Sequence, residues 1–232
     1  EEAHHMYVGE TGITRVIQKT CDIMRNKKAD EVRRYGVIDL PTLQKYVNFH
    51  FSVSLDLFGS EQSTNAANYF TQGLKGRYQE SRIKDDHELR DSSYAVTLLQ
   101  DNSLVKSDVP ALNAINERLR DDYIADCQRG VDRWNKLIEE SGIQFRIELP
   151  HKSFNRQIGT FSDAKITPEG SIVSAEIWEK RKSDWLPGNG DHEYIQSLMT
   201  QVTRTGEYAG WIAPPRIGIN RQTLDYPYVK IH

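Results

Sequence analysis

Three long segments of the chain repeat apolar residues every three or four positions, a spacing that commits most of residues 1–142 to helix. The clearest runs from Pro110 to about Ser141, with Leu112, Ile115, Leu119, Tyr123, Cys127, Val131, Trp134 and Ile138 on one stripe. Gly142 supplies the stop. A second segment starts at Asp39 or at the Leu40-Pro41 step. Pro41 stands in its first turn, where a missing N–H does no harm. This helix carries Leu43, Tyr46, Val47, Phe49, Phe51, Val53, Leu55 and Leu57, so it is apolar almost all round. Such a helix belongs at the centre of a fold. His50 inside it reads as a hydrogen-bonded core histidine, and Gly59 ends the run.

The first segment extends from the amino end to about Arg25–Lys28. At about 100° per residue, one face carries Glu2, His5, Met6, Gly9, Ile13, Val16, Thr20 and Met24. The opposite face, from Glu10 and Arg15 to Asp22 and Arg25, reads as solvated. Glu2 and His5 are three residues apart, one turn along the same face, so both can reach one metal ion. Helix-bundle di-iron and di-manganese proteins use this Glu-x-x-His element twice per site. Here it occurs once, which predicts half of a carboxylate-bridged site whose other donors lie upstream. Burying a lone carboxylate costs several kcal/mol unless a partner or metal offsets it. Glycine at position 9 costs roughly 1 kcal/mol against alanine, tolerable if a neighbouring helix or a substrate needs the space. The competing reading makes Glu2 and His5 an exposed ion pair on a non-catalytic helical interaction domain without metal.

Between these helices, residues 63–75 suggest a shorter helix opened by a polar cap, and Arg77–Ser93 a solvated stretch around His87. Beyond Gly142 the pattern changes. Phe145–Leu149 and Ile172–Trp178 alternate like strands, a turn is expected at Gly188–Asp191, and a short helix at about Tyr194–Val202. The aromatic and proline-rich end suggests an extended tail. The division expected is 1–142, a helical domain, and 143–232, an extended region with short strands and loops wrapping it.

Composition narrows the function classes. The 232 residues are 38% hydrophobic with a formal net charge of −3, so no general attraction to nucleic acid or anionic membrane follows. No run reaches the ~18 apolar residues of a membrane span. Cys21 and Cys127 read as small reduced thiols rather than a disulfide framework or catalytic pair, which fits the cytoplasm. The sequence has no Walker A loop, dinucleotide glycine motif, Gly-x-Ser-x-Gly elbow or His-Glu-x-x-His, so no catalytic side chain is assigned and a zinc hydrolase is disfavoured. Lys180-Arg181-Lys182 and Arg25–Lys28 read as solvated basic clusters.

Glu1–Met6 followed by Val8–Gly12, the stretch Val37–Pro41, Asn48–Phe51, and Trp211–Pro215 with Gly218-Ile219-Asn220 together resemble the benzoyl-CoA 2,3-epoxidase family of ferritin-like di-iron monooxygenases. The similarity runs from first residue to last and corresponds to the C-terminal half of the oxygenase component. It implies a mainly α fold, a partial ferritin-like di-iron bundle. It also implies O2-dependent epoxidation of the benzoyl-CoA ring, with electrons from an NADPH-dependent flavin and iron–sulfur reductase component. Of the family's ligands only the second pair maps here, Glu2 and His5, with iron as the cofactor. Met6, Gly9 and Ile13 follow along the seam as candidate substrate-pocket residues. The chain alone is expected to be inactive and poorly stable or self-associating.

Overall fold

The computed structural model describes residues 2–27, 31–63, 92–199, 209–215, 217, 222 and 223. Most of these residues are helical, and one small antiparallel sheet accompanies the helices. In chain order the elements are α1 (Glu2–Lys27), a 3-10 turn at Val32–Tyr35 and α2 (Leu40–Asp56). They continue with β1 (Ser93–Gln100), β2 (Ser103–Pro110), a second 3-10 turn (Ala111–Ala114), α3 (Ile115–Glu140), α4 (Ala175–Trp185) and α5 (Asn189–Met199). The expected helix past Ser63 and the charged stretch around His87 lie outside the described residues. Among the described residues, no helix is long and apolar enough to cross a membrane.

Two compact units divide the chain. One comprises Glu1–Tyr46, Arg129–Glu148 and Leu186–His232, the other Val47–Gln128 and Leu149–Trp185. Each unit draws residues from both sides of Gly142.

In the first unit the core is made by Val16, Ile17, Thr20 and Cys21 of α1 with Val32, Val37 and Leu40. Thr20 is polar but satisfied, donating to the Ile38 carbonyl at 2.7 Å. Asp39 caps α2 by accepting the Thr42 N–H at 2.9 Å, the usual work of an aspartate ahead of a first turn. Arg15, expected to be solvated, instead binds the Trp211–Pro215 segment: its Nε donates to the Ala213 carbonyl at 2.6 Å, and the Ala213 N–H returns a bond to the Arg15 carbonyl at 3.0 Å. Gly142, at φ +73°, closes α3 with paired bonds, its own N–H to Glu139 and that of Ile143 to Ile138.

The strand expected at Phe145–Leu149 does not form. Its backbone groups are satisfied by two side-chain amides in place of a neighbouring strand. Asn135 holds both sides of Ile147, at 2.8 and 2.9 Å, and Gln44 does the same for Glu148, at 2.8 and 2.7 Å. Alternation in sequence therefore reports one buried residue, Ile147, rather than a sheet.

The turn expected at Gly188–Asp191 is instead the start of α5. Asp191 accepts the Gly188 N–H at 3.1 Å, the reciprocal half of a helix-start box. It also takes Arg33 at 2.7 Å and Lys45 at 3.2 Å, while Arg33 reaches Asp39 at 2.5 Å. Tyr194 lies under the Arg33 guanidinium, 4.9 Å from its ring centre, and donates to the Val37 carbonyl.

The second unit holds the sheet. β1 and β2 pair antiparallel from Ser93 opposite Pro110 to Gln100 opposite Ser103. Asp101 and Asn102, at φ 48° and 60°, make the two-residue turn, a conformation matched to strand twist. The helical periodicity does not anticipate this hairpin. The strand expected at Ile172–Trp178 is replaced by a bridge, Ile166 with Ile172, followed by α4. Ser174 decides the outcome: its carbonyl accepts from Trp178 at 3.0 Å and its hydroxyl from Ile177 at 3.3 Å, so the chain turns helical there. Trp178 and Trp185, two turns apart on α4, pack with Phe154 at ring separations of 5.6 to 6.5 Å. α2 is a further correction. Phe51, Ser52 and Leu55 are buried, but Phe49 and His50 are exposed and Leu57 is 86% exposed. His50 is thus no core histidine among the described residues; it stands edge-on to Phe49 at 5.3 Å.

The Asp191 cluster gives a pH test. Burial alone would raise this carboxyl, but Arg33, the Gly188 N–H and Lys45 outweigh it and hold the pKa at about 2. A carboxyl held below its unfolded value contributes stability that is complete above about pH 4 and is lost as pH falls toward the folded value. Asp191→Asn is expected to cost about 2 kcal/mol near pH 7, with the difference from wild type shrinking below about pH 3. Urea unfolding at both pH values measures it. A difference independent of pH contradicts the cluster's role.

Candidate functional site

Local sequence keeps α1 helical through the Glu-x-x-His element, because Glu, Ala, His and Met contain no breaker and the chain runs unbroken from Glu2 to Lys27. Its backbone therefore sets Glu2 and His5 one turn apart on a single helix. The side chains of Glu2 and Met6 lie outside the described residues. The His5 side chain is exposed, as are Gly9, Tyr7 (60%) and Val8. Ile13 is half-buried, and the helix becomes core only from Val16 onward. A methyl built at Gly9 or Gly12 meets nothing within 4 Å. The five residues singled out from the sequence thus share the amino half of α1, with His5 and Gly9 exposed and Ile13 half-buried.

As a donor set, one carboxylate and one imidazole suit a hard or borderline ion such as iron, which accepts oxygen and nitrogen ligands together. Two donors are not a complete site. Among the described residues no group of three or more His, Cys, Asp or Glu is placed to hold a metal ion. Glu2 and His5 would supply a metal ion with two donors, an oxygen and a nitrogen. Neither cysteine adds to it. Burial raises the Cys21 thiol, and likewise Cys127, so both stay protonated near neutrality.

The most elaborate polar assembly was not legible in sequence. In the second unit Arg120, Arg156, Glu61 and Glu117 are all buried. Arg120 pairs with Glu117 one turn before it on α3 and donates to the Leu55 and Gly59 carbonyls at 3.3 and 2.5 Å. Arg156 takes Asp56 at 2.5 Å and shares the Gly59 carbonyl at 3.4 Å. Lys152 bridges Glu117 at 2.6 Å and Asp121 at 2.7 Å, and Asp121 accepts from Tyr94 at 2.6 Å. Burial would lower the Lys152 pKa, yet the bonds to Asp121 and Glu117 raise it above the ordinary lysine value. Buried ions survive only when each is multiply bonded, and here each guanidinium has a carboxylate and carbonyl partners.

Glu61 is the exception. Its Oε2 accepts the Thr160 N–H at 2.8 Å, while Oε1 has no hydrogen-bond partner and lies 3.4 Å from Arg156 and 3.9 Å from Arg120. Gly159, at φ +85°, lies against this carboxylate so closely that a Cβ there would overlap it. The arrangement borders a pocket lined by Ser60, Glu61, Leu98 and Thr160. It fixes Gly59, the loop at 156–160 and α3 together.

No protein-family model matches the chain. It is 50% identical over 235 residues to benzoyl-CoA oxygenase component B of Aromatoleum evansii. That match covers all of this chain and 50% of the relative, so the chain spans about half the length of the curated relative it matches. The whole-length similarity read from Glu1–Met6 through Trp211–Pro215 agrees with this relationship, and the half-length coverage agrees with a C-terminal half.

Gly159 supplies a direct check on the buried assembly. Gly159→Ala meets both the left-handed backbone and the Glu61 carboxylate, and should cost about 2 to 3 kcal/mol in urea unfolding. Gly130→Ala, on α3 with its nearest neighbour 4.0 Å away, should be neutral or stabilising by up to about 1 kcal/mol. Equal effects of the two changes would contradict the close packing at Glu61.

Proposed function

We propose that this chain is the C-terminal half of the oxygenase component of a di-iron monooxygenase that epoxidises the aromatic ring of benzoyl-CoA with O2. A separate NADPH-dependent flavin and iron–sulfur reductase supplies the electrons. The observation that carries the reading is the 50% identity to benzoyl-CoA oxygenase component B along the whole chain. The unbroken α1 helix adds physical support, since its backbone sets Glu2 and His5 one turn apart.

Glu2 and His5 would hold one side of the metal centre, Glu2 through a carboxylate oxygen and His5 through a ring nitrogen. Iron, when bound, supplies the reduction and activation of O2 that no side chain can perform. The Glu2 carboxylate would adapt to changes in the metal's ligand demand, and the His5 imidazole would serve as a nitrogen donor. Met6, Gly9 and Ile13 would line the approach of the substrate, Gly9 adding no side chain there. Covering this end of α1 by the remaining half of the protein would exclude water and hold His5 in one orientation.

The alternative, a non-catalytic helical interaction domain, is favoured by one observation: His5 is exposed among the described residues. Iron content separates the two. In the complete protein about two irons per chain are expected, and Glu2→Ala or His5→Ala should each remove most of the iron while leaving the helical circular-dichroism signal. Unchanged iron in both variants would leave the interaction-domain reading standing.

A further inference from the structure

We infer that His151 is a proton-operated clamp in the second unit: its neutral ring holds segment 149–156 against the turn at 167–171, and the charged ring releases it. That segment anchors the buried assembly. Lys152 binds Glu117 and Asp121, Phe154 packs against Trp178 and Trp185, and Arg156 binds Asp56. Of these side chains, the imidazole is the one that changes charge near neutral pH.

Three contacts hold the clamp shut. The His151 N–H donates to the Pro168 carbonyl at 2.7 Å, the ring lies against Gly170, and ring Nδ1 accepts the Ser153 N–H at 3.3 Å. Gly170, at φ +90°, makes room for the ring, since a Cβ there would stand 3.0 Å from Cγ and 3.1 Å from Cδ2. The turn closes on itself through the Thr167 N–H to the Ser171 carbonyl at 2.8 Å and the Gly170 N–H to the Thr167 carbonyl at 2.9 Å. A ring nitrogen that accepts carries no hydrogen, so the neutral ring keeps its proton on Nε2.

Protonation places a hydrogen on Nδ1. It then meets the Ser153 N–H donor against donor, and that bond is lost. The new charge also stands in a half-buried place beside the Lys152 ammonium. Burial first, and Lys152 second, push the His151 pKa below the ordinary histidine value. Nearby carboxylates do not offset this: Glu117 and Asp121 of α3 are bound to Lys152 at 2.6 and 2.7 Å, and Glu169, the charged residue of the facing turn, is exposed. The unfolded ring takes up its proton at about pH 6.5 and the folded ring only at lower pH. The stability His151 contributes is therefore whole above about pH 6.5 and is lost as pH falls toward the folded value. The inference does not depend on the metal reading.

Amide hydrogen exchange followed by NMR on this chain tests the clamp. Between about pH 7.5 and about pH 5.5, the protection factors of the His151 and Thr167 N–H groups should fall at least about tenfold. Ile147, whose N–H is held by Asn135 in the first unit, should keep its protection. His151→Asn retains an acceptor for the Ser153 N–H and cannot titrate, so its protection should not change with pH. The ring nitrogen shifts of the wild type give a second readout that needs no variant: Nε2 protonated in the neutral ring, and a titration midpoint below about 6.5. Three results would overturn the clamp: equal protection at the two pH values, a ring that titrates at or above the ordinary value, or a pH response that persists in His151→Asn and so belongs to another of the seven histidines.

Discussion

A helix with apolar residues around its whole circumference needs neighbours on more than one side, since water penalises whichever side is left bare. α2 is such a helix: Leu40, Thr42, Leu43, Asn48, Phe51, Ser52 and Leu55 are buried, while Phe49 is exposed, among the described residues. The amino half of α1 is in the same position, with Tyr7, Val8 and His5 exposed and the core beginning only at Val16. Both observations follow from one constraint: these helices carry apolar surface that stays exposed among the described residues. The chain spans about half the length of the relative it matches.

Charge does in the second unit what apolar packing does elsewhere. Three cations, Arg120, Arg156 and Lys152, face the carboxylates of Asp56, Glu61, Glu117 and Asp121, and most of these groups are withdrawn from water. Such an assembly favours one arrangement over others because breaking any pair leaves an unmatched buried charge. Gly59 lends its carbonyl to both arginines, and Gly159 gives up its side chain so that Glu61 can enter.

What the sequence disclosed followed a physical divide. α1, α2 and α3 were legible because a period of three to four survives over many turns, and Gly142 and Pro41 mark their ends. The hairpin was missed although Asp101-Asn102 is a fair turn signal, because eight-residue strands give little periodicity to read. Ile172–Trp178 looked like a strand until Ser174 capped a helix, a decision one hydroxyl and one carbonyl make. At Ile147 and Glu148 the alternation was real, but Asn135 and Gln44 took the place of a partner strand. The buried ions were illegible for a different reason: Arg120, Arg156 and Glu61 carry the same letters as solvated residues, and only the fold withdraws them. Glu2 and His5 stood out by spacing alone, and their surroundings depend on residues that spacing cannot reveal.

The central claim is that His5 is an iron ligand in a protein of which this chain is one half. Diffraction from crystals of that complete protein, collected at the iron absorption edge, tests it most directly. The account predicts two neighbouring iron peaks, one of them bonded to a ring nitrogen of His5 and to Glu2. An anomalous map with no iron beside His5, and an imidazole turned to bulk water, would contradict it.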